Sequence, residues 1–111
     1  MDALVSSANM DIEKKQDLAR INVEHYLVQV LKTLNESKKP IVGLCRGQSI
    51  GIGFTMMGMF DFIYCSPDAK FSTPFMKSCQ SPEGASTYTF VQQFGLRRAN
   101  EILLLDKPIT A

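Results

Sequence analysis

Apolar residues recur at helical spacing along the first third of the chain. Between Ile12 and Asn35 they fall on one stripe opposite a charged face, which predicts an amphipathic helix that packs through the stripe. Pro40 ends this pattern, because proline removes a backbone donor and restricts the residue before it. We therefore divide the chain into an irregular N-terminus at 1–10, a helix at 11–37 and a remainder at 38–111. The stripe consists of Ile12, Ala19, Val23, Tyr26, Leu27, Val30 and Leu34.

Residues 40–60 alternate between apolar runs and glycines. The apolar run at 40–45 predicts a strand buried on both faces, and the run at 54–60 predicts a buried helix. Between them lies a glycine-spaced segment, residues 47–53, which we call the glycine turn. Glycine lets a backbone approach a ligand without a Cβ in the way, and the N–H groups that open a helix face a bound negative charge. Close packing of helix on strand explains the same spacing, so both interpretations stay open.

The rest of the chain predicts further strands and helices. An apolar run at 61–65 predicts a second buried strand, and 69–73 predicts a third, short one. Strand, helix and strand in this order predict a parallel crossover and an α/β fold. Residues 75–84, which we call the glutamate loop, precede two helices at 85–94 and 96–105, with Gly95 as the C-cap between them. Residues 108–111 predict the start of another helix.

Composition narrows the classes of function. The 111 residues suffice for one small domain, and 45% hydrophobic with 21% charged residues is typical of a globular protein. A net charge of +1 leaves no basic footprint for nucleic acid, and no apolar run is long enough for membrane insertion. Both ends of the sequence look cut. The three cysteines and the single His25 form no metal-binding or disulfide pattern, which predicts a reducing compartment and core packing for Cys45, Cys65 and Cys79.

Several motifs follow one another in order in the second part of the chain. They are Lys39-Pro40-Ile41-Val42, the glycine turn, Phe60-Asp61-Phe62-Ile63-Tyr64-Cys65, Phe71-Ser72-Thr73-Pro74-Phe75 and Gln80-Ser81-Pro82-Glu83-Gly84. This ordered series resembles the crotonase (enoyl-CoA hydratase/isomerase) superfamily, and within it the delta3,delta2-enoyl-CoA isomerases. The resemblance implies a spiral of strand-strand-helix units, of which this chain would hold the middle portion. It also implies an acyl-CoA substrate, no cofactor apart from the coenzyme A of that substrate, and a homotrimer, a hexamer or a larger assembly.

The resemblance also implies roles for individual residues. The N–H of Ile52, presented between Gly51 and Gly53, corresponds to one of two donors that hold the thioester oxygen. Glu83 corresponds to the single catalytic base of the isomerases, and Phe75, Met76 and Gln80 to the acyl pocket. An apolar pocket of this kind would raise the pKa of Glu83 by desolvation. From the residues alone, a solvated side chain in a Pro-Glu-Gly turn is the favoured interpretation of Glu83, because such turns are usually exposed, and the motif resemblance reverses that preference.

The sequence departs from the family pattern at several positions. The hydratases need two carboxylates, and those positions are Thr55 and Phe75 here, which disfavours hydration. Cys79 stands where the isomerases commonly have glycine. The second oxyanion donor belongs to an upstream segment that this chain does not show, so we expect the lone 111-residue chain to be inactive.

Three functions remain open at this stage. The first is a delta3,delta2-enoyl-CoA isomerase of fatty acid beta-oxidation in the mitochondrial or peroxisomal matrix, a location implied only by the resemblance. The second is an inactive crotonase-like subunit with a structural role in a larger assembly. The third is an acyl-group binding module as in some chromatin proteins, which more often carry aspartate where Glu83 stands.

Overall fold

A computed structural model describes residues 12–111. Helix α1 spans Ile12–Asn35, which confirms the predicted helix. The predicted N-terminal irregular segment and the cap at 9–11 lie outside the described residues. Burial corrects the predicted packing stripe, because Tyr26 is 69% and Val30 is 44% exposed. Among the α1 side chains that the structure describes, Leu27, Leu31 and Leu34 are half-buried and the others are exposed.

The strands form two small sheets. β1 (Val42–Cys45) pairs in parallel with β3 (Phe62–Cys65), which confirms the predicted crossover. β2 (Gln48–Ile50) pairs in parallel with β4 (Lys70–Ser72), and β4 pairs antiparallel with β5 (Ile109–Thr110). The prediction placed no strand inside the glycine turn and a helix at the end of the chain, so both were wrong. β2 and β5 are too short to show a period, and each is fixed by pairing to β4.

The predicted burial is wrong on one face of β1 and at all four residues of β3. Gly43 is buried and Cys45 is only 8% exposed, but the side chains that alternate with them in β1 point outward. The register places those side chains beside outward residues of β3. Together they form an apolar surface that we call the β1–β3 face, with exposed fractions of 52% for Val42, 81% for Leu44, 53% for Phe62 and 62% for Tyr64.

We expect the isolated 111-residue chain to self-associate through the β1–β3 face. Contiguous exposed apolar side chains on a short sheet favour association, because covering them removes apolar surface from water. Light scattering over a concentration series should report oligomers or aggregates, and Leu44→Lys should reduce them. A wild-type chain that stays monomeric at all concentrations would contradict this expectation.

The hydrophobic core lies beneath the glycine turn. The turn leads into α2 (Ile52–Thr55), which continues as a 3-10 helix at Met56–Met59. Phe54 of α2 packs against Phe71 of β4 and Phe90, with ring centroids 5.1 and 4.8 Å apart. Aromatic pairs at this spacing stabilise a core beyond their buried area. The packing of Phe54 therefore fixes α2 to the core.

Two consecutive helices complete the core. They are α3 (Ser86–Phe94) and α4 (Leu96–Leu104), separated by Gly95 as predicted. Ala99 and Ile102 of α4 are fully buried, and the buried hydroxyl of Thr73 donates to the carbonyl of Ile102 at 2.8 Å. This bond joins α4 to the segment that opens the glutamate loop.

The cysteines do not share one environment. Cys45 is buried, and its thiol contacts the sulfur of Met57 at 3.6 Å, as expected of a small core residue. Cys65 and Cys79 are exposed, which corrects the prediction of core packing for these two. β3 has no covering layer among the described residues, and Cys79 lies on the glutamate loop, so neither position is enclosed.

Candidate active site

The glycine turn leaves two backbone donors unpaired. The N–H of Gly51 donates to the carbonyl of Ser72 at 2.9 Å, and the Gly51 carbonyl accepts from the N–H groups of Phe54 and Thr55, each at 2.9 Å. Within residues 12–111, the N–H groups of Ile52 and Gly53 donate to no acceptor. Gly51 has φ 57° and ψ −125°, a conformation that essentially only glycine adopts. The conformation of Gly51 therefore turns the chain so that the first two N–H groups of α2 have no acceptor among the described residues.

The glutamate loop packs directly on this turn. Gly84 is buried with φ 67°, and a Cβ added there would lie 2.8 Å from Cβ of Thr55 and 3.2 Å from Cδ1 of Ile52. Contacts below 3 Å cannot be accommodated without movement, so only glycine allows the loop to come this close. The approach brings Glu83 beside α2.

Hydrogen bonds fix Glu83 at both its backbone and its side chain. Its carbonyl accepts from the hydroxyl of the buried Ser86 at 2.6 Å and from the Ser86 N–H at 3.2 Å. Its carboxylate oxygen Oε1 accepts from the hydroxyl of Thr55, which is fully buried, at 3.2 Å. The half-buried carboxylate is therefore held against the helix that begins at Ile52.

Burial and hydrogen bonding act on Glu83 in opposite directions. Desolvation raises the pKa of its carboxyl above the ordinary value of 4.5, because burial disfavours the charged form. The hydrogen bond from Thr55 lowers the pKa but does not cancel that effect. The direction agrees with the prediction from the sequence. A carboxylate with a raised pKa is a better proton acceptor and later a usable proton donor.

The predicted acyl-pocket residues lie in different environments. Phe75 is 2% exposed and belongs to the hydrophobic core. Met76 is 44% exposed, and its N–H donates to Asp106 at 3.3 Å. Gln80 is exposed and accepts from Ser78 at 3.0 Å. In the described part of the chain no hydrogen bond joins any of the three to Glu83, and their assignment to an acyl pocket stays a prediction.

Cys79 has a backbone conformation that glycine adopts readily. Its φ of 53° lies in the left-handed region, which residues with a Cβ rarely adopt. The exposed thiol of Cys79 is free. A left-handed residue four positions before Glu83 explains why glycine suits this position.

The other described parts of the chain carry no comparable chemistry. His25 is exposed on α1. Among residues 12–111, no cluster of three or more histidine, cysteine or acidic side chains could hold a metal ion, and no helix is long and apolar enough to cross a membrane. An open cavity of about 330 Å³ lies between the end of α1 and the start of α3, with Leu34, Met59, Ala85 and Tyr88 in its lining. Glu83 does not line this cavity.

Sequence reasoning missed the role of Thr55. It identified Thr55 only as the position where a hydratase carboxylate is absent. The available signal was a polar residue inside an otherwise apolar segment, Phe54-Thr55-Met56-Met57. Because buried hydroxyls need a partner, such a residue predicts a hydrogen bond, although the sequence does not say to which group.

Comparison with known proteins identifies the family of the chain. The sequence model of the enoyl-CoA hydratase/isomerase family matches residues 6–111. A crystal structure of enoyl-CoA hydratase/isomerase from Pseudoalteromonas atlantica superposes with a TM-score of 0.72 at 33% identity, covering 76% of this chain and 34% of that one. The chain therefore belongs to the enoyl-CoA hydratase/isomerase, or crotonase, family, and holds a partial α/β domain of that fold.

Individual relatives fall into two groups. Rat enoyl-CoA delta isomerase 2 is 41% identical over 85 residues, 77% of this chain and 22% of that protein. Mouse peroxisomal enoyl-CoA delta isomerase 3 is 41% identical over 73 residues, 66% of this chain and 23% of that protein. Human testis-specific chromodomain protein Y 1 is 30% identical over 100 residues, 90% of this chain and 18% of that protein. The chain spans about a fifth of the length of these curated relatives.

Proposed function

We propose that this chain supplies the base and one oxyanion donor of a delta3,delta2-enoyl-CoA isomerase. The observation that carries the proposal is the position of Glu83, whose half-buried carboxylate is held by Thr55 of the helix that begins at the free N–H of Ile52. A base and an oxyanion donor on one short helix–loop contact match the needs of proton abstraction beside a thioester.

The proposed reaction moves one proton along the acyl chain. Glu83 takes the proton from C2, and the electron pair of that C–H bond forms an enolate whose charge collects on the thioester oxygen. The Ile52 N–H donates to this oxygen, and one such donor contributes about 3 to 4 kcal/mol to the transition state. Glu83 then returns the proton to C4 as the double bond moves to C2–C3. The charge balances, and the steps use acid–base chemistry alone.

The same residues disfavour a hydratase. Addition of water across a double bond needs a second carboxylate to manage the water. The two positions that carry carboxylates in hydratases hold a buried hydroxyl at Thr55 and a core aromatic ring at Phe75. Neither side chain accepts a proton from water at neutral pH.

The setting of the enzyme forms part of the proposal. The substrate is an unsaturated acyl-CoA of fatty acid beta-oxidation, and coenzyme A enters as part of that substrate. The sequence resemblance supports a trimer or hexamer. The mouse relative is named as a peroxisomal enzyme, which supports a peroxisomal location for this protein, and the mitochondrial alternative rests on the sequence resemblance.

Incubation of the native protein with a 3-enoyl-CoA tests the proposed function. We expect the conjugated 2-enoyl-CoA as the product, with part of a C2 deuterium label recovered at C4, because one carboxylate carries the proton to both carbons. Chromatography with mass spectrometry measures both. Hydration of a 2-enoyl-CoA to a 3-hydroxyacyl-CoA, with the 3-enoyl-CoA left unchanged, would indicate a hydratase. Acyl-CoA binding without turnover would overturn the isomerase proposal in favour of a non-catalytic subunit or an acyl-binding module.

A further inference from the structure

The hydroxyl of Thr55 lies between two acceptors. Its oxygen is 3.2 Å from Oε1 of Glu83 and 3.5 Å from the carbonyl oxygen of Ile52. A hydroxyl has a single proton to donate, and an ionised carboxylate is the stronger acceptor. The shorter contact is therefore the one that the hydroxyl makes when Glu83 is charged.

We propose that Thr55 is a positioning residue that binds Oε1 of Glu83 and leaves Oε2 as the oxygen that carries the proton. This inference rests on the proposed function of Glu83 as the base. Within residues 12–111 no other side chain donates to the Glu83 carboxylate. Thr55 is fully buried, so water does not replace its hydroxyl.

The contact serves both halves of a proton shuttle. While Glu83 is ionised, the Thr55 hydroxyl stabilises the charge on Oε1. After Oε2 takes the proton from C2, Oε1 becomes the carbonyl oxygen of the acid and still accepts from Thr55. The carboxyl group then keeps one orientation while Oε2 releases the proton to C4. Holding the reacting oxygen still in this way avoids a loss of alignment between the two steps.

Thr55→Val and Thr55→Ser variants of the native protein test the inference. Valine removes the hydroxyl and keeps the size, so we expect kcat to fall about tenfold, because a hydrogen bond to a charged group is lost. The pKa of Glu83 should rise, and the acid limb of the kcat/KM profile should move to higher pH with it. Serine restores the hydroxyl and should return the limb to its wild-type position.

A second readout separates this inference from the proposed function. Carbon-13 labelling of glutamate carboxyls, assigned with Glu83→Gln, follows the titration of Glu83 without turnover. If Thr55→Val leaves that titration unchanged, the positioning role is wrong even where isomerase activity is intact. If the native protein isomerises no 3-enoyl-CoA, the proposed function fails, and the titration still decides whether Thr55 acts on Glu83.

Thr33→Val provides the matched control. Thr33 lies exposed on α1, and its hydroxyl donates to the carbonyl of Gln29 at 2.8 Å. The same chemical change there should alter neither the titration of Glu83 nor the pH profile. An equal shift in both threonine variants would overturn the inference.

Discussion

The Glu83→Gln variant of the native protein is expected to isomerise a 3-enoyl-CoA about 10² to 10⁴ times more slowly than the wild type, the range typical for loss of a general base. Glutamine keeps the size of the side chain, and its amide oxygen accepts the hydrogen bond from Thr55, so the fold should be preserved. Steady-state kcat/KM for the 2-enoyl-CoA product measures the loss.

Two controls make this result interpretable. Glu36→Gln changes an exposed glutamate just after α1, whose Oε1 lies 3.9 Å from Nζ of Lys32. This variant should leave the rate unchanged. In the wild type, kcat/KM should fall as the pH drops through the pKa of Glu83, which burial raises above 4.5, because only the ionised carboxylate accepts a proton. Wild-type rates for Glu83→Gln would exclude Glu83 as the base.

The Gly84→Ala variant is expected to lower the free energy of unfolding by about 2 to 5 kcal/mol. Left-handed backbone costs a residue with a Cβ about 1 to 2 kcal/mol, and overpacking costs about 1 to 3 kcal/mol. Gly84 has φ 67°, and its added Cβ would approach Cβ of Thr55 to 2.8 Å. Urea unfolding measures the change, and the activity should fall with it because the clash displaces Glu83 from α2.

Gly95→Ala separates strain from steric overlap. Gly95 has a similar φ of 77°, but nothing lies within 4 Å of a Cβ added there. Its ψ of 157° lies in a region that essentially only glycine adopts, so its alanine variant should show only this backbone cost, about 1 to 3 kcal/mol, and keep its activity. Equal losses of stability in the two variants would show that the contact between the glutamate loop and α2 contributes little.

Local patterns predicted much of the fold. The period of α1, the Gly95 cap and the parallel pairing of β1 with β3 follow from spacing, glycine chemistry and element order. β2 and β5 could not be predicted in this way, because two or three residues carry no period and long-range pairing selects them. Burial of the strands was overpredicted, since an apolar strand does not specify which layer covers it.

The candidate site was predictable in part. The family motif identified Glu83 and Ile52, and the structure brings their segments together through Gly84. The motif could not reveal that Thr55 donates to Glu83, because the two residues are distant in sequence and only packing makes them neighbours. For Phe75 the resemblance implied a residue of the acyl pocket. The structure places its ring in the core, and the assignment to an acyl pocket stays a prediction.

The two parallel ladders have a consequence for the order of folding. β1–β3 and β2–β4 each close a loop that contains Ile52 and Thr55. Long-range parallel pairing forms slowly, because the entropy of loop closure is lost before the stabilising contacts form. The neighbouring helices α3 and α4 meet through local contacts. We therefore expect the N–H of Ile52, the proposed oxyanion donor, to reach its final position only after both strand pairs have formed. A partly folded chain would then not bind a thioester at this site.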